Sequence, residues 1–255
     1  MAEAVIVEGV AKSFKLANHK TIKKLAVNAA KRQPLSHSFT ALEDISFTLE
    51  QGESIGLMGL NGSGKSTLLK LISGVMSPDR GQVLTRGRIA GLIDVGAGFH
   101  PDLSGRENIY LNGAILGMSE SEIDAKLAAI VDFSEMQEFL EGEVRHYSSG
   151  MFMRLAFAVA VHTECDIFLI DEMLAVGDQP FKRKCMRKIR ELKEAGKTMV
   201  FVSHNPKQVV RLCNRGLVLE QGKMLFEGTA EDAVRKLGYA LDDENDEDDE
   251  DEDDR

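Results

Sequence analysis

At 255 residues the chain is long enough for one large domain, or for a domain carrying an inserted subdomain, around a sizeable core. Its cysteines, Cys165, Cys185 and Cys213, are odd in number and in no CxxC or CxxxC spacing, which argues against a disulfide framework and a zinc site and points to reduced thiols. No apolar stretch approaches the roughly 18 residues that span a bilayer, and MAEAVIVEGV lacks the charged-then-apolar pattern of a signal peptide, so a soluble or peripheral protein is expected.

The net charge of -10 is unevenly distributed. The last fourteen residues, DDENDEDDEDEDDR, hold twelve acids and one arginine, and the 241 residues before them carry 30 basic and 29 acidic residues. The folded part is therefore near neutral, and residues 241–255 read as a disordered, self-repelling acidic tail.

In chain order, a β-like AVIVEGV leads into basic sequence, then into ALEDISFTLEQGESIGLMGL, which alternates before turning fully apolar, as a buried strand does. A glycine-rich turn and the helix KSTLLKLISGV follow. From Arg106 to Val161 the period is helical: RENIYLNGAIL, then ESEIDAKLAAIVDF with a capping box from Ser119 to Glu122, then MFMRLAFAVAV. Ser148, Ser149 and Gly150 stand at the head of that last run, where a serine caps free N–H groups that are equally suited to an anion. The strand DIFLID, the basic helix FKRKCMRKIRELKEAG, the strand TMVFVS and a helix from Pro206 come next. A hairpin, GLVLEQGKMLFEG, precedes a final helix opened by Thr229. This alternation predicts an α/β fold with a largely parallel sheet and helices on its faces.

Residues 59–67, GLNGSGKST, fulfil GxxxxGK[ST] between a predicted strand and a predicted helix, as a phosphate-binding loop requires. Gly59, Gly62 and Gly64 let the backbone around Asn61 and Ser63 turn its N–H groups toward phosphate oxygens, and the helix N-terminus adds partial positive charge. Lys65 would reach the β- and γ-phosphates, Ser66 would offer a hydroxyl to Mg²⁺, and Thr67 would meet the α-phosphate. DIFLIDE then ends a buried strand on Asp171, placed for the Mg²⁺ shell, and on Glu172, placed to orient or deprotonate an attacking water. His204, at the end of TMVFVSH, would donate to the γ-phosphate.

The order Lys65, Ser148-Ser149-Gly150, Asp171-Glu172, His204 resembles the ATP-binding subunit of ABC transporters over nearly the whole chain to about residue 240. The resemblance implies a P-loop ATPase core with an N-terminal antiparallel β region (residues 1–95 and 165–240) and an inserted helical subdomain (96–164). YSSGMFMR is then a variant of the family's LSGGQ signature, which in a head-to-tail dimer contacts the ATP held by the second copy. LAVGD falls on the D-loop, with Asp178 in the aspartate position. Tyr147, Ser149, Met151 and Phe152 depart from the family pattern. The Q-loop glutamine is missing from LIDVGAGFHPDLSGREN, where Asp94 is the nearest occupant of that role. These departures, with GAGFHPDLSGRENIYLNG and DEMLAVGDQPFKRKC, resemble the branch that exports lipid-linked polysaccharides such as O-antigens, teichoic acids and cell-wall glycans, here without the extra carbohydrate-binding domain that some members carry.

The resemblance implies ATP and Mg²⁺ as ligands, two copies of an integral membrane partner that holds the lipid-linked glycan, no nucleic acid, and a peripheral place on the cytoplasmic face of the inner membrane. Phe14 lies where the family often stacks an aromatic on adenine; a core phenylalanine of the first strand fits equally. HKTIKKLAVNAAKR places Ile22, Leu25, Ala26 and Ala29 on one helical face among Lys20, Lys23, Lys24, Lys31 and Arg32. Such a helix suits an anionic membrane surface or the partner's cytoplasmic face, and equally a position packed on its own domain. The alternatives to glycan export are export of another lipid or small substrate, and a soluble ABC ATPase. Ribosomal members of that soluble kind usually carry two ATPase domains per chain and DNA members long coiled coils, neither of which is present.

Overall fold

The computed structural model describes residues 2–17, 36–92, 98–171 and 178–238. The expected basic helix, Asp94, Glu172 and the acidic tail lie outside these residues. Two sheets organise the fold. Strands β1 (Glu3–Ala17), β2 (Ser36–Glu50) and β4 (Arg80–Thr85) form an antiparallel sheet in the order β2-β1-β4. The second sheet has six strands, in the order β5-β6-β7-β3-β8-β9. In it β3 (Ser54–Met58), β5 (Ile89–Leu92), β6 (Ile167–Ile170), β7 (Thr198–Val202) and β8 (Arg215–Glu220) run parallel. Only β9 (Lys223–Thr229) is antiparallel, because the Gln221-Gly222 turn folds it straight back on β8.

The central strands are apolar throughout because both faces are covered. Side chains of β6 and β7 alternate between two cores, with Ile167, Leu169, Val200 and Val202 on one side and Phe168, Ile170, Met199 and Phe201 on the other. The first side is closed by the antiparallel sheet and by α1 (Lys65–Ile72), through Val5, Val7, Leu42, Ile45, Leu68 and Leu69. The second is closed by α4 (Ser149–His162), α5 (Gln179–Glu194), α6 (Pro206–Leu212) and α7 (Ala230–Lys236). Cys165, Cys185 and Cys213 are free thiols buried in this second core, and burial pushes them up to about 11, 12 and 12 respectively, so they remain protonated and unreactive.

Helices α2 (Gly105–Ile115) and α3 (Glu120–Ser134) pack with α4 around a third core of Ile109, Ile123, Ile130, Leu155, Ala158 and Val159. Both open on full capping boxes: Ser104 with Glu107, and Ser119 with Glu122 as the sequence predicts. The α3 box is also tied to the sheet. Arg88, just before β5, holds Glu122 at 3.1 Å, and Lys126 pairs with Glu164 at 2.9 Å just before β6. The Ser119 N–H first, then Arg88, lower Glu122 to about 2. Because the folded value lies below the unfolded one, the stabilisation linked to Glu122 is full above the ordinary carboxylate range and is lost as the pH falls toward 2.

Asn108 on α2 is fully buried and organises residues 100–104 before that helix. Its amide nitrogen donates to the carbonyls of His100, Leu103 and Ser104, and its oxygen accepts the His100 N–H at 2.7 Å. Replacing it with alanine orphans several of these groups at once, each costing about 1 to 3 kcal/mol when left buried without a partner. Asn108→Ala should therefore lower stability by about 2 to 4 kcal/mol, measured by urea unfolding with an unchanged m-value.

Candidate functional site

The carboxyl ends of β3, β7 and β6 converge on a cavity of about 210 Å³, lined by Phe39, Ala41, the residues Asn61 to Thr67, Asp171 and Val202. This is the crevice where parallel α/β sheets place their ligands. Two glycines set its floor by close approach. Gly59 takes φ +142°, and a Cβ there would stand 2.2 Å from the Leu219 carbonyl; Gly64 takes φ +109°, and its Cβ would stand 2.6 Å from the Ala41 carbonyl. The loop is thereby pressed against β8 and the β2 strand, and α1 starts immediately after it, its first N–H groups lacking helical partners.

Lys65 is buried and curls over its own loop, donating to the carbonyls of Gly59 at 2.7 Å and Leu60 at 3.0 Å. Ser63 is buried as well, and its Oγ has no hydrogen-bond partner among the described residues. An orphaned hydroxyl, an ammonium and a helix start facing one cavity form a donor set for phosphate oxygens. Ser66 and the half-buried Asp171 line the same space and offer the hard oxygen ligands that Mg²⁺ takes.

The other expected residues are placed as follows. His204 follows β7 by two residues and is exposed, in a turn fixed by buried Ser203, whose Oγ accepts the Asn205 N–H, and by Asn205, which caps α6. Phe14 is half-buried, with the Lys12 ammonium 6.0 Å from its ring, and it does not line the cavity. Its partner across the β1–β2 ladder, Phe39, does, and is 48% exposed there. Opposed residues of an antiparallel pair share a face, so the two rings stand on the same side of the sheet. A spacing argument within one strand has no means of finding Phe39, because only pairing brings it to the site.

Ser148 caps α4, its Oγ accepting the Met151 N–H at 3.2 Å, and both Ser148 and Ser149 are exposed. The unusual residues around them have specific partners. The Tyr147 hydroxyl donates to the Phe139 carbonyl at 2.7 Å, and the ring fits only because residue 105, at the start of α2, is glycine: a Cβ there would lie 2.2 Å from the hydroxyl. Phe152 packs on Phe99 with ring centroids 4.9 Å apart. Asp178 caps α5 by accepting the Phe181 N–H, and pairs with Arg154 of α4 at 2.7 Å.

Fold and site together define an α/β ATPase with a phosphate-binding loop. The ABC transporter family matches residues 42–175, and the chain belongs to that family. It is 44% identical over 247 residues to the ABC transporter protein AbcA of Aeromonas salmonicida, covering 96% of this chain and 80% of that one. It is 43% identical to the O-antigen export system ATP-binding protein RfbB of Klebsiella pneumoniae, over 94% of this chain and all of the relative (100%). With the teichoic acids export ATP-binding protein TagH of Listeria monocytogenes it shares 42% identity, over 89% of this chain and 67% of the relative. Among solved structures, an ATP-binding subunit of an ABC transporter superposes with TM-score 0.71 at 24% identity, covering 92% of this chain and 93% of that one. An ATP-binding cassette solved as a dimer with ADP and Pi gives TM-score 0.70 at 23% identity, over 89% and 98%.

The fit of Tyr147 against Gly105 is testable. Gly105→Ala forces the hydroxyl aside and should lower the melting temperature by several degrees, equivalent to about 1 to 3 kcal/mol of overpacking. Adding Tyr147→Phe, which removes the colliding oxygen, should recover most of that loss. A loss on Gly105→Ala that is as large in the Tyr147→Phe background as in the parent would show that the two positions do not interact.

Proposed function

We propose that this chain is the ATP-hydrolysing subunit of an exporter that moves a lipid-linked polysaccharide across the cytoplasmic membrane. It works as a head-to-tail dimer on two copies of a membrane-spanning partner. The relatives named for O-antigen and teichoic acid export support the substrate class. The observation that carries the dimer is the position of the signature: Ser148 and Ser149 are exposed at the open end of α4, and nothing near residue 150 within the described chain demands glycine. A Cβ at 150 would meet only Ser148 Oγ, at an ordinary 3.8 Å. The glycine is then explained by what approaches from outside, the γ-phosphate on the second copy.

In this reading the chain divides as the sequence suggests, into an ATPase core of residues 1–95 and 165–240 and a helical insert of 96–164. Lys65 exchanges its two loop carbonyls for β- and γ-phosphate oxygens, and the Ser63 hydroxyl gains the partner it lacks. Asn61, Gly62, Gly64 and Thr67 line the rest of the phosphate path. Ser66 and Asp171 would hold Mg²⁺, which when bound would supply positive charge against the phosphate oxygens. Glu172 orients or deprotonates the attacking water, His204 donates to the γ-phosphate, and Asp94 stands in for the Q-loop glutamine. The Phe14–Phe39 face is the aromatic surface on offer to the adenine. The subunit sits peripherally on the cytoplasmic face of the membrane, as the export role of the named relatives suggests; no helix among the described residues is long and apolar enough to cross a membrane.

Two outcomes test this. Glu172→Gln should cut ATP turnover by about a hundredfold or more, as loss of a general base does, and should accumulate an ATP-bound dimer by size-exclusion chromatography; turnover at the unsubstituted rate would remove Glu172 from the chemistry. Depletion of the protein in cells should accumulate a lipid-linked glycan on the cytoplasmic side, detected by mass spectrometry of extracted lipids, and no such accumulation would exclude the glycan-export reading.

A further inference from the structure

Away from the phosphate loop, four charged side chains close a bridge between three elements that the ATPase machinery has no evident need to join. Glu135 follows the end of α3. One of its oxygens accepts from Arg154 Nη1 at 2.5 Å, and the other accepts from Lys184 Nζ at 3.0 Å. Arg154, on α4, uses its second nitrogen to bind Asp178 at 2.7 Å. Lys184, on α5, also reaches the Asp132 carbonyl at 3.3 Å. Both cations lie on aromatic faces: the Arg154 guanidinium is 4.8 Å from the Phe181 centroid and the Lys184 ammonium 4.9 Å from that of Phe133. Phe133, Phe157 and Phe181 in turn pack on one another, which fixes the base on which the charges rest.

The backbone at residue 135 sharpens the point. Glu135 caps α3 in the left-handed region, at φ 58° and ψ 36°. Glycine, or sometimes asparagine, is the residue that such a cap ordinarily selects. Helix termination alone therefore gives no reason for glutamate, and what the residue contributes is its carboxylate. Lys184 foremost, and Arg154 with it, hold that carboxyl below the ordinary range, so it is anionic at neutral pH.

The bridge spans the two halves of the chemistry. Arg154 lies six residues after Ser148, on the helix whose first turn carries the signature, and Asp178 lies seven residues after Asp171 of the nucleotide cavity. Arg154 ties that helix to Asp178 at the head of α5, and Glu135 keeps Arg154 in place from the side of α3.

We propose that Glu135 is a positioning residue that, through Arg154, locks the signature helix to Asp178 at the head of α5, and so sets the alignment of the signature that a copy presents to a second copy. The proposal rests on the dimer reading above. An exposed pair of this kind contributes little to stability by itself; its effect is on alignment.

The test uses the full chain in two variants. Glu135→Gln keeps the shape and removes the charge, and Glu135→Gly removes the side chain while supplying the residue that the backbone prefers. If the role is positional, Glu135→Gly keeps or raises the melting temperature, and each variant binds a fluorescent ATP analogue within about twofold of the parent. In both, kcat for ATP falls at least fivefold with little change in KM. In the Glu172→Gln background, ATP-driven association weakens at least tenfold by analytical ultracentrifugation. Unchanged kcat and unchanged association in Glu135→Gly would overturn the proposal, as would a kcat loss matched by an equal loss of ATP binding and melting temperature, which marks a general folding defect. If the Glu172→Gln parent itself fails to associate with ATP, the dimer reading fails and takes this proposal with it.

Discussion

Helix α4 must satisfy two cores at once, and this constraint shapes the molecule around it. Every residue from Leu155 to Val161 is buried, with Phe157, Ala160 and Val161 against the central sheet and Leu155, Ala158 and Val159 against α2 and α3. A helix apolar on all sides has no face left for chemistry. Its polar contribution is therefore confined to the residues before Leu155, where Arg154 reaches Glu135 and Asp178 and where Ser148, Ser149 and Gly150 emerge from the packed region. The same burial makes α4 a rigid strut. Whatever meets its exposed end is felt in both the helical layer and the sheet, because close-packed interiors transmit displacement rather than absorb it.

The nucleotide cavity depends on a different economy. Its walls come from segments far apart in sequence, and the parallel order β6-β7-β3 alone brings Asp171, Val202 and the phosphate loop to one edge. Close contact of Gly59 with β8 and of Gly64 with β2 then sets how deep the loop lies. Backbone geometry supplies the shape, and a few side chains, Ser63, Lys65, Ser66 and Asp171, supply the polarity.

Much of this is legible in the amino-acid order. The apolar run before Gly59, the capping box at Ser119 and the apolar helix after Gly150, broken only by Arg154, are local signals, and each becomes the element they indicate. Strands β4 and β5 carry no such signal. RGQVLT is exposed along nearly its whole length, and IAGL is four residues long, so both exist through pairing with β1 and β6 rather than through their own pattern. The site divides in the same way. Lys65, Ser66 and Asp171 belong to contiguous motifs and line one cavity. Phe39 enters through strand register, and Glu135 through a left-handed cap, neither of which leaves a mark in one dimension.

The partners of Tyr147 and Phe152 carry a consequence for how such a protein changes over time. Both reach into one short stretch, Phe99 and Gly105, whose own shape is held by Asn108. The residues around the signature and the segment 98–105 are thus a single fitted joint, although more than forty positions separate them in the chain. A signature transplanted from a distant cousin would arrive without its socket. A chimera that exchanges both stretches together would keep the joint that an exchange of either alone would break.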